Sequence, residues 1–267
     1  MNTRTLRRLL NYKHTRRGIR LAIVLLLVFG AGYSLWGDEV VAVPAGPSAS
    51  AAAWSALYYS HNQQLREESP TASVTSCDDL SVLVDRSHTL PSDYAPGDLV
   101  PLQDYGVPTL GSEMLRREAA EHLGRLVEDA AVDGEELVVA SGYRSYEDQK
   151  LSHLRLMSVF GEAAGRMSAT PGHSQHQLGT AVDFTNAAAA YEVSGFFAQT
   201  SAHWWLEQHA WEYGFVLAYP QGKEDQTGYE WEPWHYRFVG VEDAKRLQES
   251  DLSLQAFLER EGTMPHC

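Results

Sequence analysis

Two short stretches of this 267-residue chain gather side chains that could hold a metal ion and move a proton. The first runs Gly172-His173-Ser174-Gln175-His176-Gln177-Leu178-Gly179-Thr180-Ala181-Val182-Asp183-Phe184. Its histidine stands on a loop, with a glycine three positions on and an aspartate seven on. A turn at the glycine would let the chain enter a strand with His176 and Asp183 aimed at one point. Zinc accepts imidazole nitrogen and carboxylate oxygen at about 2.0–2.2 Å, and a catalytic zinc takes three protein ligands and keeps one position for water. His176 and Asp183 would supply two of the three. Taken alone, they are a weak signal and read more readily as an aspartate that caps a turn beside a surface histidine. The second stretch, Glu230-Trp231-Glu232-Pro233-Trp234-His235-Tyr236, puts a carboxylate three residues before a histidine inside an apolar, aromatic frame. Such a frame excludes water and lifts a glutamate towards neutrality, which suits a general base. His235 then becomes the third ligand and Glu232 the acceptor of a proton from water. By itself this stretch would also suit a half-buried strand edge with an exposed glutamate and a hydrogen-bonded histidine.

The elements that must position these residues can be read from periodicity. Leu115, Ala119, Leu123, Leu126, Val127 and Ala130 recur at helical spacing, with Ser112 as cap and Gly134 as stop, so the pattern predicts a helix over 113–132. Ser81–Val84 and Leu137–Ala140 read as short strands. Ser145 and Asp148 make the start of a capped helix running to about Gly161. A strand over 180–185, a Trp-rich helix over 201–213 closed by Gly214, strands over 215–218 and 234–238, and two acidic helices complete the domain. Strands alternate irregularly with helices and no Gly-rich nucleotide loop is present, so the expected class is α+β with a mainly antiparallel sheet flanked by helices.

The joint pattern resembles the zinc D,D-carboxypeptidases of the VanY type and their L,D-carboxypeptidase relatives. Three stretches carry the resemblance: Ser141-Gly142-Tyr143-Arg144-Ser145 with Gln149, the Ser-x-His-x-x-Gly-x-Ala-x-Asp pattern from Ser174 to Asp183, and Tyr213-Gly214-Phe215 through Glu232-x-x-His235. It spans residues 76 to 240 or so. It implies one zinc ion on His176, Asp183 and His235, Glu232 as catalytic base and acid, and the fold shared with Hedgehog-type and D-Ala-D-Ala peptidase domains. Arg144, at the end of a buried strand, offers a bidentate fork, and the family places an arginine near the scissile carbonyl or the terminal carboxylate. Ser174 and Gln149 are polar candidates for the same pocket, and Tyr143 for its wall. Ser145 reads as a helix cap, and His173 as a neighbour of the site that is not a ligand. Ala218 departs from relatives, which often carry a basic residue there. The implied reaction is removal of a C-terminal D-alanine from peptidoglycan stem peptides. The alternatives are an endopeptidase of cross-bridges and a non-catalytic wall-binding module.

Seven of the 21 Lys and Arg residues lie in the first 20 positions, which hold no acid, so the remaining chain carries 35 acids against 14 bases. A body of that sign repels phosphate backbones and disfavours nucleic acid as a partner. The basic block leads directly into the apolar run Leu21–Trp36, and the two together describe an export segment. The expected organisation is a basic cytoplasmic segment over 1–20, a transmembrane anchor or signal over 21–37, and a stalk rich in Ala, Ser, Pro and Gly over 38–75, with a short helix about Trp54, Leu57 and Tyr58. A catalytic domain over 76–267 would then stand outside the cell, held to the membrane by a single pass, or be secreted if the segment is cleaved. That compartment is oxidising, so Cys77 and Cys267, which bracket the domain, become candidates for a disulfide. A monomer is expected.

Overall fold

The computed structural model of the chain describes residues 76–261. The basic segment, the apolar run, the stalk and Cys267 lie outside the described residues. Among the described residues no helix is long and apolar enough to cross a membrane. Cys77 is buried and is not a free thiol.

The architecture is α+β and its sheets are antiparallel, as expected. A two-stranded sheet pairs β1 (Leu99–Pro101) with β2 (Met114–Arg116). Helix α1 (Arg117–Val132) follows without a break. The main sheet has four strands, β3 (Val138–Ser141), β4 (Ala181–Thr185), β5 (Phe215–Leu217) and β6 (His235–Phe238), in the order β3-β4-β6-β5. Helix α2 (Tyr146–Phe160) links β3 to the loop that leads into β4, and α3 (Ser201–His209) precedes β5. A single turn α4 (Glu224–Thr227) lies between β5 and β6, and α5 (Val241–Gln248) and α6 (Leu254–Glu261) close the described chain.

Side-chain alternation along the strands decides what each face of the main sheet carries. Val139, Val182, Phe184, Phe215, Tyr236 and Phe238 lie in one buried cluster with Leu123, Leu126 and Ala130 of α1. Each fully buried Leu or Phe in such a layer contributes about 1.5–3 kcal/mol over exposure to water, which seats the helix on that face. With that face committed to the helix, the intervening residues Asp183, His235 and Arg237 must project from the other. Register brings them together: Asp183 stands directly opposite His235 on β6 and opposite Ser141 on β3.

Two expectations from periodicity fail for identifiable reasons. The helix expected from 113 begins at Arg117, because Met114–Arg116 pairs with Leu99–Pro101. Ser112 is exposed and caps nothing, and the N-cap position is Arg116. Ser81–Val84 forms no strand: Val82, Leu83 and Val84 are all buried, but the carbonyls of Leu80 and Val82 accept from the buried Arg237 Nη2 at 3.0 and 2.5 Å instead of joining a ladder. Elsewhere the boundaries move little. Ser145 caps α2 as expected, its Oγ accepting from the Asp148 N–H at 3.2 Å. The Trp-rich helix tightens into a 3-10 turn at Ala210–Tyr213, and Gly214 stops it at φ 85°.

Candidate metal centre and active site

His176 occupies a buried 3-10 turn, Gln175–Leu178, that ends at Gly179 with φ 68°. A side chain at Gly179 would stand 2.9 Å from Leu99 Cδ2 besides needing that left-handed backbone, so the turn into β4 depends on glycine. Asp183 comes from the middle of β4, and His235 opens β6. The three converge: one ligand atom from each lies within 4.8 Å of the others. His176 Nε2 is 3.3 Å from Asp183 Oδ2, and His235 Nδ1 is 2.9 Å from Asp183 Oδ1. Donors about 2.1 Å from a tetrahedral ion stand about 3.4 Å apart, so this spacing suits zinc.

The hydrogen bonds behind the histidines point the same way. His176 Nδ1 lies 2.7 Å from the Gly142 carbonyl and His235 Nε2 lies 3.1 Å from Gln175 Oε1, both of which can only accept. The remaining nitrogens, His176 Nε2 and His235 Nδ1, are therefore left with lone pairs that face the Asp183 carboxylate. Two lone pairs and a carboxylate, all buried, form a donor set that calls for a cation between them. Burial by itself would raise Asp183, but with no ion between the groups positive charge and hydrogen bonding from the two histidines would outweigh it and hold the carboxyl well below the usual range, the part that a cation takes over when their lone pairs face it. His235 is lowered by burial, with Asp183 opposing.

Gly142 is held tightly for its part in this arrangement. Its N–H donates to Glu113 Oε2 at 2.7 Å, and a Cβ there would meet the Met114 carbonyl at 2.6 Å. The next N–H, of Tyr143, donates to that same Met114 carbonyl at 2.7 Å.

Glu232 lies close to the three. Its N–H donates to the Tyr219 carbonyl at 3.1 Å, its own carbonyl accepts from the His235 N–H at 3.0 Å, and its Oε2 is 4.0 Å from His235 Nδ1. Burial pushes its carboxyl well above the ordinary range; the charge of Asp183 adds to the rise and that of Arg144 opposes it. Arg144 donates from Nη1 to Gln149 Oε1 at 2.9 Å and from Nη2 to Ser141 Oγ at 2.7 Å, and Nη2 lies 3.8 Å from Asp183 Oδ2. Gln149 is itself anchored through Nε2 to the Ala169 carbonyl at 2.7 Å.

A cavity of about 480 Å³ opens over these groups, and Arg144, Gln149 and Ser174 line it together with the three histidine and aspartate side chains and Glu232. Arg144 lines this cavity and Tyr143, the expected wall residue, is not among its lining residues. His173 is not in the metal cluster: its Nδ1 bonds the Asp85 carbonyl at 2.7 Å. Sequence reasoning missed Gln175 and Tyr219. The first sits at a position the motif leaves open. The second stacks its ring on His235, centroids 4.9 Å apart at 22°, and gives no local signal because the contact joins the loop after β5 to β6.

Residues 112–241 match the family model described as VanY, D-alanyl-D-alanine carboxypeptidase. The chain is 37% identical over 186 residues to YodJ of Bacillus subtilis (strain 168), a protein provisionally named a carboxypeptidase, covering 68% of each. The structure is similar to that of the LdcB LD-carboxypeptidase, with a TM-score of 0.64 at 37% identity over 70% of this chain and 89% of the other. It is also similar to a mutant of the vancomycin resistance D,D-pentapeptidase VanY in complex with Zn(II), with a TM-score of 0.57 at 29% identity over 67% of this chain and 98% of the other. With its metal-binding geometry and its sequence in agreement, this chain belongs to the VanY family of D-alanyl-D-alanine carboxypeptidases.

Proposed function

We propose that this protein is a zinc metallocarboxypeptidase that hydrolyses the bond before a C-terminal D-alanine in peptidoglycan stem peptides, of the D,D or the L,D kind. The observation that carries the reading is the convergence of His176 Nε2, Asp183 and His235 Nδ1 in one cleft that Glu232 and Arg144 also line, Glu232 Oε2 4.0 Å from His235 Nδ1 and Arg144 Nη2 3.8 Å from Asp183 Oδ2. His176, Asp183 and His235 would hold the ion. Zinc so held supplies a Lewis acid that polarises a carbonyl and makes a water acidic near neutral pH. Glu232, lifted by burial, accepts a proton from the attacking water. As the water oxygen bonds to the carbonyl carbon, the carbon–nitrogen bond breaks and Glu232 returns the proton to the departing nitrogen. Arg144 has two of its five N–H groups tied to Gln149 and Ser141, which aims the guanidinium while leaving donors for an anionic oxygen of the substrate. Ser174 and Gln149 add polar lining.

Digestion of purified muropeptides, read by mass spectrometry, tests the reading. Loss of one alanine from the stem is expected. Cleavage within a cross-bridge would replace the carboxypeptidase reading with an endopeptidase, and intact muropeptides from zinc-loaded protein would remove the activity.

The first 75 residues complete the proposal. Seven cations followed by the apolar run Leu21–Trp36 support a membrane anchor with its amino terminus inside, a stalk over 38–75, and the catalytic domain on the wall side. Protease added to intact protoplasts is expected to digest the domain while the protein fractionates with membranes. A protected or cytosolic domain would overturn this topology.

A further inference from the structure

We propose that Gln175 is a positioning residue for the metal centre, fixing His235 in the tautomer that presents Nδ1 to the ion. The proposal rests on the zinc reading above. Gln175 is 2% exposed, and its Oε1 lies 3.1 Å from His235 Nε2. An amide oxygen can only accept, and so can Asp183 Oδ1, 2.9 Å from Nδ1; once an ion lies between Nδ1 and that carboxylate, the Gln175 oxygen holds the imidazole proton on Nε2 and leaves the Nδ1 lone pair to the metal. The opposite orientation of the amide would present NH2 to His235 and drive the proton onto Nδ1. There it would bond Asp183 and occupy the direction in which a metal must be met.

The other end of the side chain shows what this orientation costs. Gln175 Nε2 is buried and has no hydrogen-bond partner. An orphaned buried donor is unfavourable, and here that cost accompanies the amide orientation that presents oxygen to His235. His176 takes its equivalent support from the Gly142 carbonyl, a backbone group, whereas the support of His235 hangs on one side chain. Stacking on Tyr219 holds the plane of the His235 ring but cannot choose between its nitrogens. That choice falls to Gln175. Gln175 also leads directly into His176, so one dipeptide carries a ligand and the group that prepares its partner.

The test compares zinc affinity, by competition with a chromophoric chelator, in the parent, Gln175→Met and Gln175→Glu proteins, with nitrogen-15 NMR of His235 in the zinc-loaded parent. Met matches the length of Gln without its acceptor and is expected to weaken zinc binding by about 10- to 100-fold, the usual effect of losing such a supporting partner. Glu keeps an acceptor and dispenses with the orphaned donor, so it is expected to restore affinity to the parent level or better. The parent spectrum is expected to show the proton on Nε2. A parent that takes up no zinc would overturn the metal reading itself. A parent that binds zinc while the Met protein matches it, a Glu protein as weak as the Met protein, or a proton on Nδ1 would overturn the role of Gln175. Should circular dichroism show the Met protein unfolded, the Glu protein and the parent spectrum decide the question.

Discussion

Replacing Glu232 with glutamine is expected to lower turnover by about 100- to 10,000-fold while leaving one zinc bound per chain, because a positioned acid-base group contributes about that factor. The substitution keeps the size of the side chain, and its backbone is fixed independently of the carboxylate by the bonds to Tyr219 and His235 at 3.1 and 3.0 Å. What changes is the capacity to accept a proton from water and deliver it to nitrogen. D-alanine release measured beside elemental analysis separates the possibilities. Zinc lost from the Glu232→Gln protein would make Glu232 a ligand, and full turnover would remove it from the mechanism.

His176→Ala is expected to act on metal and turnover together. It deletes one of three ligands, so zinc affinity should fall by more than the roughly 10- to 100-fold that losing a supporting partner costs. Hydrolysis should drop to background. A thermodynamic signature goes with it: zinc at a thousandfold its dissociation constant stabilises a protein that binds it only when folded by about 4 kcal/mol. The parent should therefore melt at a clearly higher temperature with zinc than with chelator, and the variant should show little difference. A His176→Ala protein that keeps stoichiometric zinc and normal turnover would exclude His176 from the site.

The site was more legible in the sequence than the scaffold around it. His176 and Asp183 lie on one continuous stretch whose turn is set by Gly179, and Glu232 and His235 on another, so their relations follow from local chain geometry. That the two stretches meet depends on the pairing of Asp183 with His235 across β4 and β6, which only the joint motif disclosed. Leu115 shows the opposite case. Its spacing to Ala119 and Leu123 fits a helix, yet pairing with Val100 draws it into a strand, and that partner lies outside any local window. Val82 and Leu83 carry the composition of a strand, but the buried Arg237 takes neighbouring carbonyls from more than 150 positions away. Gln175 escaped notice because its meaning lies in which nitrogen of His235 it faces.

The place of Asp183 on β4 bears on how such a protein can change over generations. Every residue of that strand is buried, with neighbours on both edges, so a carboxylate there meets solvent only through the cleft and relies on Arg144, its two histidines and the cation they would share. A lineage that gave up catalysis but kept its metal as a structural cross-link could shed Glu232 in one step. A lineage that gave up the metal would leave that charge with Arg144, 3.8 Å away, as its main cationic partner, and removing a partner from a buried ion pair typically costs about 3–5 kcal/mol. Selection would then favour replacement of Asp183 soon after loss of either histidine. Among descendants of this fold, an aspartate retained at this position thus becomes a mark of retained zinc, and its disappearance a mark that the ion went first.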